Sequence, residues 1–549
     1  MLLPKIWRVR LLAALLLGGL FAGLAFAASS SRYGTSAVPP TTFYVAPTGS
    51  DKNPCTESAP CASFERGFRV APCGGIVKIA PGSYAKQTLR SDPAKLSCTQ
   101  RVVLDGSGGE VLTQGVVTKG AAHVELVGIG ADLSACTSDK IAPPCPSLAI
   151  TGGGDVVVRR VHFARFFVYA PNVQVLGSDF GPSYDNHGII GGPTRDLLVA
   201  DTVIHDQWNS QACRSTPGCL GKNHMNCQTI NDSVNVTFAR TRIYNCDDTA
   251  MLVKPFQGSN QNIRFENSVF GPVRGFRSVS LTVPNPAKRS NDGIHFLYNT
   301  FRQNQGFTVS SGVTYPNSEA IGNLGNIGNC AQIQRAGFTL DYNVIVGSSP
   351  CGEHSKATTA PGLATDGFHL MQGSPAIGGG DPENHPLSDI DGQTRPRQGR
   401  PDAGADQREP ADLVLGRSIG AVTFAAAEAD VRTFYGTPRH TGTVKIGNRV
   451  LPRIVYNLNG GSLFVTLSAG RVVGIGTSSP FYETPGGLRA GADAARVRSF
   501  AGVRWIKCRK AFLRYYGNAA VYFTPRGGKS GKTIDSISML ARGFEGCPV

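Results

Sequence analysis

Charge is scarce in this sequence. Only 17% of the 549 residues are Asp, Glu, Lys or Arg, well below the usual quarter. Long apolar runs are scarcer still: one exists, from Leu11 to Ala27, which excludes a multi-span membrane protein. No two cysteines stand in a CxxC spacing, so a cysteine zinc site has no framework. What is abundant points the other way. The chain has 67 glycines and 35 prolines, nearly one residue in five, which argues against a helical bundle, a coiled coil or a helix-rich enzyme. A hydrophobic content of 41% argues against disorder. A large, Gly-rich, mostly β protein is what remains.

The N-terminus has the three parts of a secretion signal over residues 1–28: Lys5, Arg8 and Arg10, then the apolar run, then Ala25-Phe26-Ala27 as a cleavage pattern. An uncleaved anchor is the alternative, and either way the rest is expected outside the cytoplasm. The 14 cysteines all lie beyond this segment. Their spacing suggests local disulfides: Cys55–Cys61, Cys73–Cys98, Cys136–Cys145, Cys213–Cys219, Cys227–Cys246, Cys330–Cys351 and Cys508–Cys547. Net charge is +16, and residues 411–549 alone hold 19 Lys and Arg against 7 Asp and Glu. A basic module on a nearly neutral body suggests an anionic partner, here an extracellular polysaccharide or anionic cell-surface polymer before nucleic acid.

A nine-residue phrase recurs through the body: an Asn or Asp followed by an apolar-alternating run. It begins at Asp155, Asn172, Asp196, Asn235 and Asn262, with weaker copies over 293–301 and 337–345. The spacings of the five strong copies are 17, 24, 39 and 27 residues. Each copy reads as two short strands with a bend between them. A single coil cannot bury its inner face, but stacked coils can. A constant phrase with loops of variable length is what a right-handed parallel β-helix needs; a propeller needs longer repeats of four strands.

Residues 42–410 resemble the secreted right-handed β-helix proteins of the pectate-lyase-like superfamily. The resemblance is carried by the opening Phe43-Tyr44-Val45-Ala46-Pro47-Thr48-Gly49-Ser50-Asp51 and by Val77-Lys78-Ile79-Ala80-Pro81-Gly82-Ser83-Tyr84. It is carried also by the closing Ser374-Pro375-Ala376-Ile377, Asp389-Ile390-Asp391-Gly392 and Asp402-Ala403-Gly404-Ala405, although Gly378 to Asp381 depart from the family's Asp-Ala-Gly. Residues 63–70 read as a helix capping the stack. The resemblance implies a fold and not a chemistry, since this fold hosts many activities.

With the repeats in register, one column gathers titratable groups: His187, then His224 and Gln228, then Asp247 and Asp248, with Lys254 beyond. These six are the candidate catalytic residues; His205, Asp206 and Trp208 stand nearby as candidate substrate contacts, with Tyr184 a second aromatic. Residues 207–226 would form a wall beside them. Three readings stay open. Asp247-Asp248 is similar to the paired acids of polygalacturonases, which implies inverting hydrolysis, though the family's third Asp, Gly-His-Gly and Arg-Ile-Lys are missing at the matching places. Lys254, Arg274 and Arg277 would suit a lyase acting on an acidic glycan, with Asp185, Asp247 and Asp248 holding Ca²⁺. The third reading is non-catalytic: Asn and Asp ladders bonding neighbouring coils, with carbohydrate bound and not cleaved. Asp381, Asp389, Asp391, Asp402 and Asp406 offer either Ca²⁺ ligands or turn caps.

After a short linker, Glu409-Pro410-Ala411, the pattern changes to two α-β-β-β units over 411–549. Helices are expected over 425–435 and 490–500, each followed by three strands. The arrangement is similar to tandem β-lactamase-inhibitor-like modules. Lys507, Arg509, Lys510 and Arg514, interleaved with Trp505, Tyr515 and Tyr516, would be an anionic-polymer platform or a solvated sheet face. The expectation is a secreted, monomeric β-helix protein with a small basic α+β domain that recognises extracellular polysaccharide, an acidic-glycan lyase or hydrolase being the alternative.

Overall fold

The recurring phrase is a coil segment with two left-handed corners. Its first residue has φ near +55°: Asp155 55°, Asn172 53°, Asp196 56°, Asn235 56°, Asn262 52°. Its sixth does the same at Arg160, Gly177, Asp201, Arg240 and Asn267. Asn, Asp and Gly tolerate this conformation, which explains why the phrase opens on Asn or Asp. Between the corners runs a strand. A computed structural model describes residues 41–545 except 143, 221–223, 276, 303–304, 372, 397–398 and 459–460; the expected secretion signal and Cys547 lie outside the described residues.

The strands between corners stack in a 12-stranded parallel sheet, in register Val156↔Val173↔Leu197↔Val236↔Ile263. These five residues are all buried. Beyond the second corner, short strands such as Asp179–Phe180, Val203–His205 and Arg242–Tyr244 build a second 12-stranded parallel sheet. A third sheet, of nine strands from Gln87–Arg90 to Gln305–Val309, completes each coil. Together they form the right-handed parallel β-helix that the phrase predicts. The cap is the helix Phe64–Val70, whose first turn is held by Ser63 Oγ accepting from Arg66 N at 3.1 Å. Six of the predicted disulfides are present: Cys55–Cys61, Cys73–Cys98, Cys136–Cys145, Cys213–Cys219, Cys227–Cys246 and Cys330–Cys351. Cys508 is also disulfide-bonded. No helix among the described residues is long and apolar enough to cross a membrane.

The residue after the second corner links coil to coil. Thr241 N donates to Ser268 Oγ, Ser268 N to Asn299 Oδ1, Asn299 N to Asn323 Oδ1 and Asn323 N to Asn343 Oδ1, at 2.9–3.1 Å. The asparagines add a side-chain ladder: Asn299 Nδ2 donates to Asn323 Oδ1 at 3.1 Å, and Asn323 Nδ2 to Asn343 Oδ1 at 3.0 Å. All are buried, so each group depends on its neighbour for its hydrogen bond.

After the last coil the chain turns back along the stack. Arg395, wholly buried, ties this closing segment down. It donates to the Asp402, Gly404 and Ala405 carbonyls and to Asn267 Oδ1, and its guanidinium lies 4.7 Å from the Tyr298 ring centre. The linker beyond it is not loose: Glu409 is buried and accepts a hydrogen bond from the Tyr482 hydroxyl, and burial pushes its carboxyl up to about 8.

The C-terminal part opens on a small three-stranded antiparallel sheet, Leu413–Val414, Ser418–Ile419 and Val422–Thr423, which the sequence reading did not expect, and continues into an eight-stranded antiparallel sheet. The helix Glu428–Tyr435 precedes strands His440–Ile446, Arg449–Leu458, Gly461–Ser468 and Arg471–Thr477. The helix Ala494–Arg498 precedes Arg504–Ile506, Ala511–Tyr516, Ala519–Pro525 and Ile534–Ala541. Each pass therefore has one strand more than the three expected. The extra strand His440–Ile446 is exposed along most of its length, so no apolar alternation betrays it. The two passes meet through their last strands, Arg471–Thr477 beside Ile534–Ala541.

Replacing Asn323 with Ala would strand the Asn299 N–H and the Phe296 carbonyl that Asn323 serves. We expect Asn323→Ala to cost about 2–6 kcal/mol in denaturant unfolding, since each of the two stranded buried groups costs roughly 1–3 kcal/mol.

Candidate functional site

The third-sheet strands Gly188–Ile190, Gln228–Ile230 and Met251–Val253 are in register Gly188↔Gln228↔Met251. Residues just before them form the expected column. Of the six candidate catalytic residues, three come together there: His187, His224 and Asp248. His224 Nδ1 lies 3.4 Å from Asp248 Oδ2, with side chains 70% and 46% exposed. His187 sits behind them. Burial, with the nearby Arg165 and His224 charges, depresses its imidazole from 6.5 to about 4, outweighing the opposite pull of Asp248. His187 is therefore neutral at physiological pH. Arg165, half-buried at the start of the third-sheet strand Arg165–Tyr169, donates to Ser183 Oγ at 2.8 Å, and the burial it has lowers its guanidinium to about 10.

The other three stand elsewhere. Gln228 points into the core, in line with Met251: it is wholly buried, neither amide atom has a hydrogen-bond partner among the described residues, and a Cβ on Gly188 would meet its Oε1 at 2.1 Å. A carboxamide facing core atoms cannot reach a substrate. Asp247 is 7% exposed and consumed by the loop it anchors. Its Oδ1 accepts from Arg274 Nη1 at 3.0 Å, while Oδ2 accepts from Asn209 N at 2.6 Å and from Arg214. A carboxylate held by two arginines is not a free acid or base. Lys254 is exposed at the far end of the strand Met251–Val253, which stands between it and Asp248.

The wall expected from residues 207–226 is pinned to this column. Asp185 accepts from Ser210 N and Ala142 N, both at 2.8 Å, and Cys213–Cys219 closes the loop. Tyr184 and Trp208 lie on an added two-stranded parallel step, their rings 6.0 Å apart. Trp208 Nε1 donates to the Asn245 carbonyl, and Arg274 lies over its ring at 5.0 Å.

His205 and Asp206 belong to a second group that the sequence reading had only in part. His205 Nε2 bonds Asp179 Oδ1 at 2.9 Å and its Nδ1 bonds Asp206 Oδ2 at 2.6 Å. Burial opposes the cation, but the two carboxylates prevail and raise the imidazole above its ordinary value. Tyr244 stacks on it at 5.7 Å; burial works against the Asp179 carboxylate, but the hydrogen bond and charge of His205, with His162 and Arg242 nearby, hold it below its ordinary value. Asp179 was missed, although its signal was present. It is the eighth residue of its phrase, as are His162 and Arg242 of theirs, where the side chain faces outward beside a buried Phe or Ile.

Most of the carboxylates expected to hold Ca²⁺ are engaged by backbone N–H groups or arginines of the described residues. Asp185 and Asp247 are spent on the loop. Asp389 accepts from Asp391 N, Gln393 N and Gln407 N. Asp402 accepts from Gly378 N and Arg408 N, and Asp381 from Glu383 N. These are turn caps. The four basic residues expected to form an anionic-polymer platform, Lys507, Arg509, Lys510 and Arg514, are also divided. Arg509 lies over Tyr522 at 4.6 Å, and Arg514 lies between Phe500 and Tyr516 at 5.4 and 4.9 Å. Only Lys507 and Lys510 are left exposed.

No family model matches the chain, and no curated protein matches it. Among solved structures it is similar to a pectate lyase, Pel9A, at 14% identity and a TM-score of 0.37, over 67% of this chain and 96% of that one. It is similar to the complex of XylC with xylose at 8% identity and a TM-score of 0.37, over 67% and 98%. It is similar also to a cysteine-rich secretory protein from Staphylococcus aureus, at 10% identity and a TM-score of 0.17. That match covers 22% of this chain and spans 44% of the other protein's length.

Two outcomes follow from this geometry. Asp247→Ala should open the loop at Asn209 to Arg214, making it the first site of limited proteolysis, at a cost of about 1–3 kcal/mol because both arginines are partly solvated. His187 should make stability depend on pH. Its folded value lies below 6.5, so the unfolded chain takes the proton first as pH falls. Stability is then lost between about pH 6.5 and pH 4, by an amount on the order of 3 kcal/mol, and His187→Gln should flatten that slope in denaturation curves.

Proposed function

We propose that this protein works outside the cytoplasm and recognises an extracellular polysaccharide without cleaving it, along the strip formed by Tyr184, Trp208, His224 and Asp248. The observation that carries this reading is the fate of Asp247. The two adjacent acids that a hydrolase needs are divided: one is locked by Arg214 and Arg274, and the other faces solvent beside His224. Two carboxylates in separate roles are the minimum for inverting hydrolysis, and Asp247 cannot take one without releasing its loop. The disulfides support an oxidising compartment. An exposed His–Asp pair beside two aromatic rings offers hydrogen bonds and a stacking face, the usual means of holding a sugar ring. Lys507 and Lys510 add long-range attraction for an acidic polymer, and the protein acts as a monomer.

A second reading rests on His187. A neutral imidazole beside Arg165 pairs a base with a cation, as proton abstraction next to a uronate carboxylate requires. That would make the protein an acidic-glycan lyase.

Both readings are tested by incubating the protein with acidic and neutral polysaccharides, with and without Ca²⁺ and chelator. We expect retention on an acidic polymer, no unsaturated-uronate absorbance and no new reducing ends. His224→Ala with Asp248→Ala should weaken retention about tenfold, the scale of one lost hydrogen bond to a charged group. Lys507→Glu with Lys510→Glu should remove its salt dependence. Absorbance that disappears in His187→Ala establishes the lyase; reducing ends without absorbance overturn both readings.

A further inference from the structure

Three turns of the closing segment converge outside the strip just described. The small apolar cluster of Val269, Phe368, Ile390 and Ala405 sits on the second sheet. Three of its members are each followed by a residue that can bind metal: Phe368 by His369, Ile390 by Asp391, Ala405 by Asp406. Anchoring one residue in the core and turning out the next brings the three ligand atoms within 4.8 Å of one another.

The supporting contacts are those of a built site. His369 is aligned through its other nitrogen, Nδ1, which bonds Asp366 Oδ2 at 2.5 Å. Asp366 is itself fixed, because its Oδ1 accepts from Phe368 N and His369 N. A carboxylate behind an imidazole is the common outer partner of a metal-bound histidine, setting its orientation and tautomer. Asp406 is only 3% exposed, and Leu370 N donates to one of its oxygens at 2.7 Å. Its other oxygen accepts no hydrogen bond from any described residue. No lysine or arginine among the described residues pairs with Asp391 or Asp406. His369 Nε2 bonds Asp391 Oδ2 at 2.6 Å. Replacing the shared proton with a cation would satisfy all three groups at once.

We propose that His369, Asp391 and Asp406 bind one divalent transition-metal ion, zinc by ligand type, with Asp366 as the positioning residue. One imidazole nitrogen and two carboxylate oxygens suit Zn²⁺, whereas Ca²⁺ takes oxygen ligands alone. Three protein ligands leave one coordination position open. The ion would join three stretches of the closing segment that share no strand.

The test uses the full chain without a histidine tag, stripped by chelator and titrated calorimetrically with ZnCl₂ alone, then again in excess CaCl₂. The expected result is one zinc per chain, undisturbed by Ca²⁺, with a Tm that rises on zinc addition. His369→Gln and Asp391→Asn should each weaken binding at least about tenfold and abolish the rise in Tm. Their side chains are 39% and 40% exposed, so both variants should fold without metal. His224→Ala should bind zinc as the parent does. Zinc bound equally by His369→Gln and the parent, Ca²⁺ competing on equal terms, or no zinc bound by the parent would each overturn the proposal.

Discussion

Two left-handed residues per phrase, always five positions apart, set the geometry on which the rest depends. Each forces the backbone to turn where an L-residue resists turning. Because both corners recur at fixed offsets, the strand between them has a constant length and every coil presents the same residues inward. The Ser, Thr and Asn rungs after the second corner then lock each coil to the next. Their hydrogen bonds are buried and mutually dependent, so a slip by one residue would strand several polar groups and turn the apolar row outward. Length variation is thereby expelled from the phrase into the loops around the third sheet. The candidate site lies in those loops because the rest of the coil has no freedom to vary.

The same constraint explains what the sequence disclosed. The corners select Asn, Asp and Gly, and the inward positions select Val, Leu, Ile and Phe, so the β-helix was legible from periodicity. The column of His187, His224 and Asp248 was legible too, since register follows from the phrase. Side-chain partners in the loops were not. Asp247 is neutralised by Arg214 and Arg274, 33 and 27 residues away, and no local pattern announces either contact. Gln228 was misread although its direction was readable, because it alternates with the inward Ile230. In the C-terminal sheet, exposed His440–Ile446 and three-residue Arg504–Ile506 lack the alternation that marks a strand.

Burial of charge at the junction follows a different logic from the ladders. Arg395 exchanges hydration for carbonyl oxygens, an amide and the Tyr298 ring, which serve both terminal nitrogens of its buried cation. Glu409 avoids the problem by remaining protonated against Tyr482. The link between the β-helix and the antiparallel sheet is thus a packed polar seam and not a flexible tether. Motion of one part on the other would have to open it.

The meeting of Arg471–Thr477 with Ile534–Ala541 has one more consequence. Each half of the antiparallel sheet is a helix followed by a four-stranded meander, and the halves join antiparallel through equivalent edges. Topologically this is a dimer interface enclosed within one chain. Either half alone would present an unpaired strand whose best complement is a second copy of itself. Fusion of two such units converts an aggregation-prone edge into the centre of a continuous sheet, and the outer edges are left to the exposed strand His440–Ile446 and to the short, basic Arg504–Ile506.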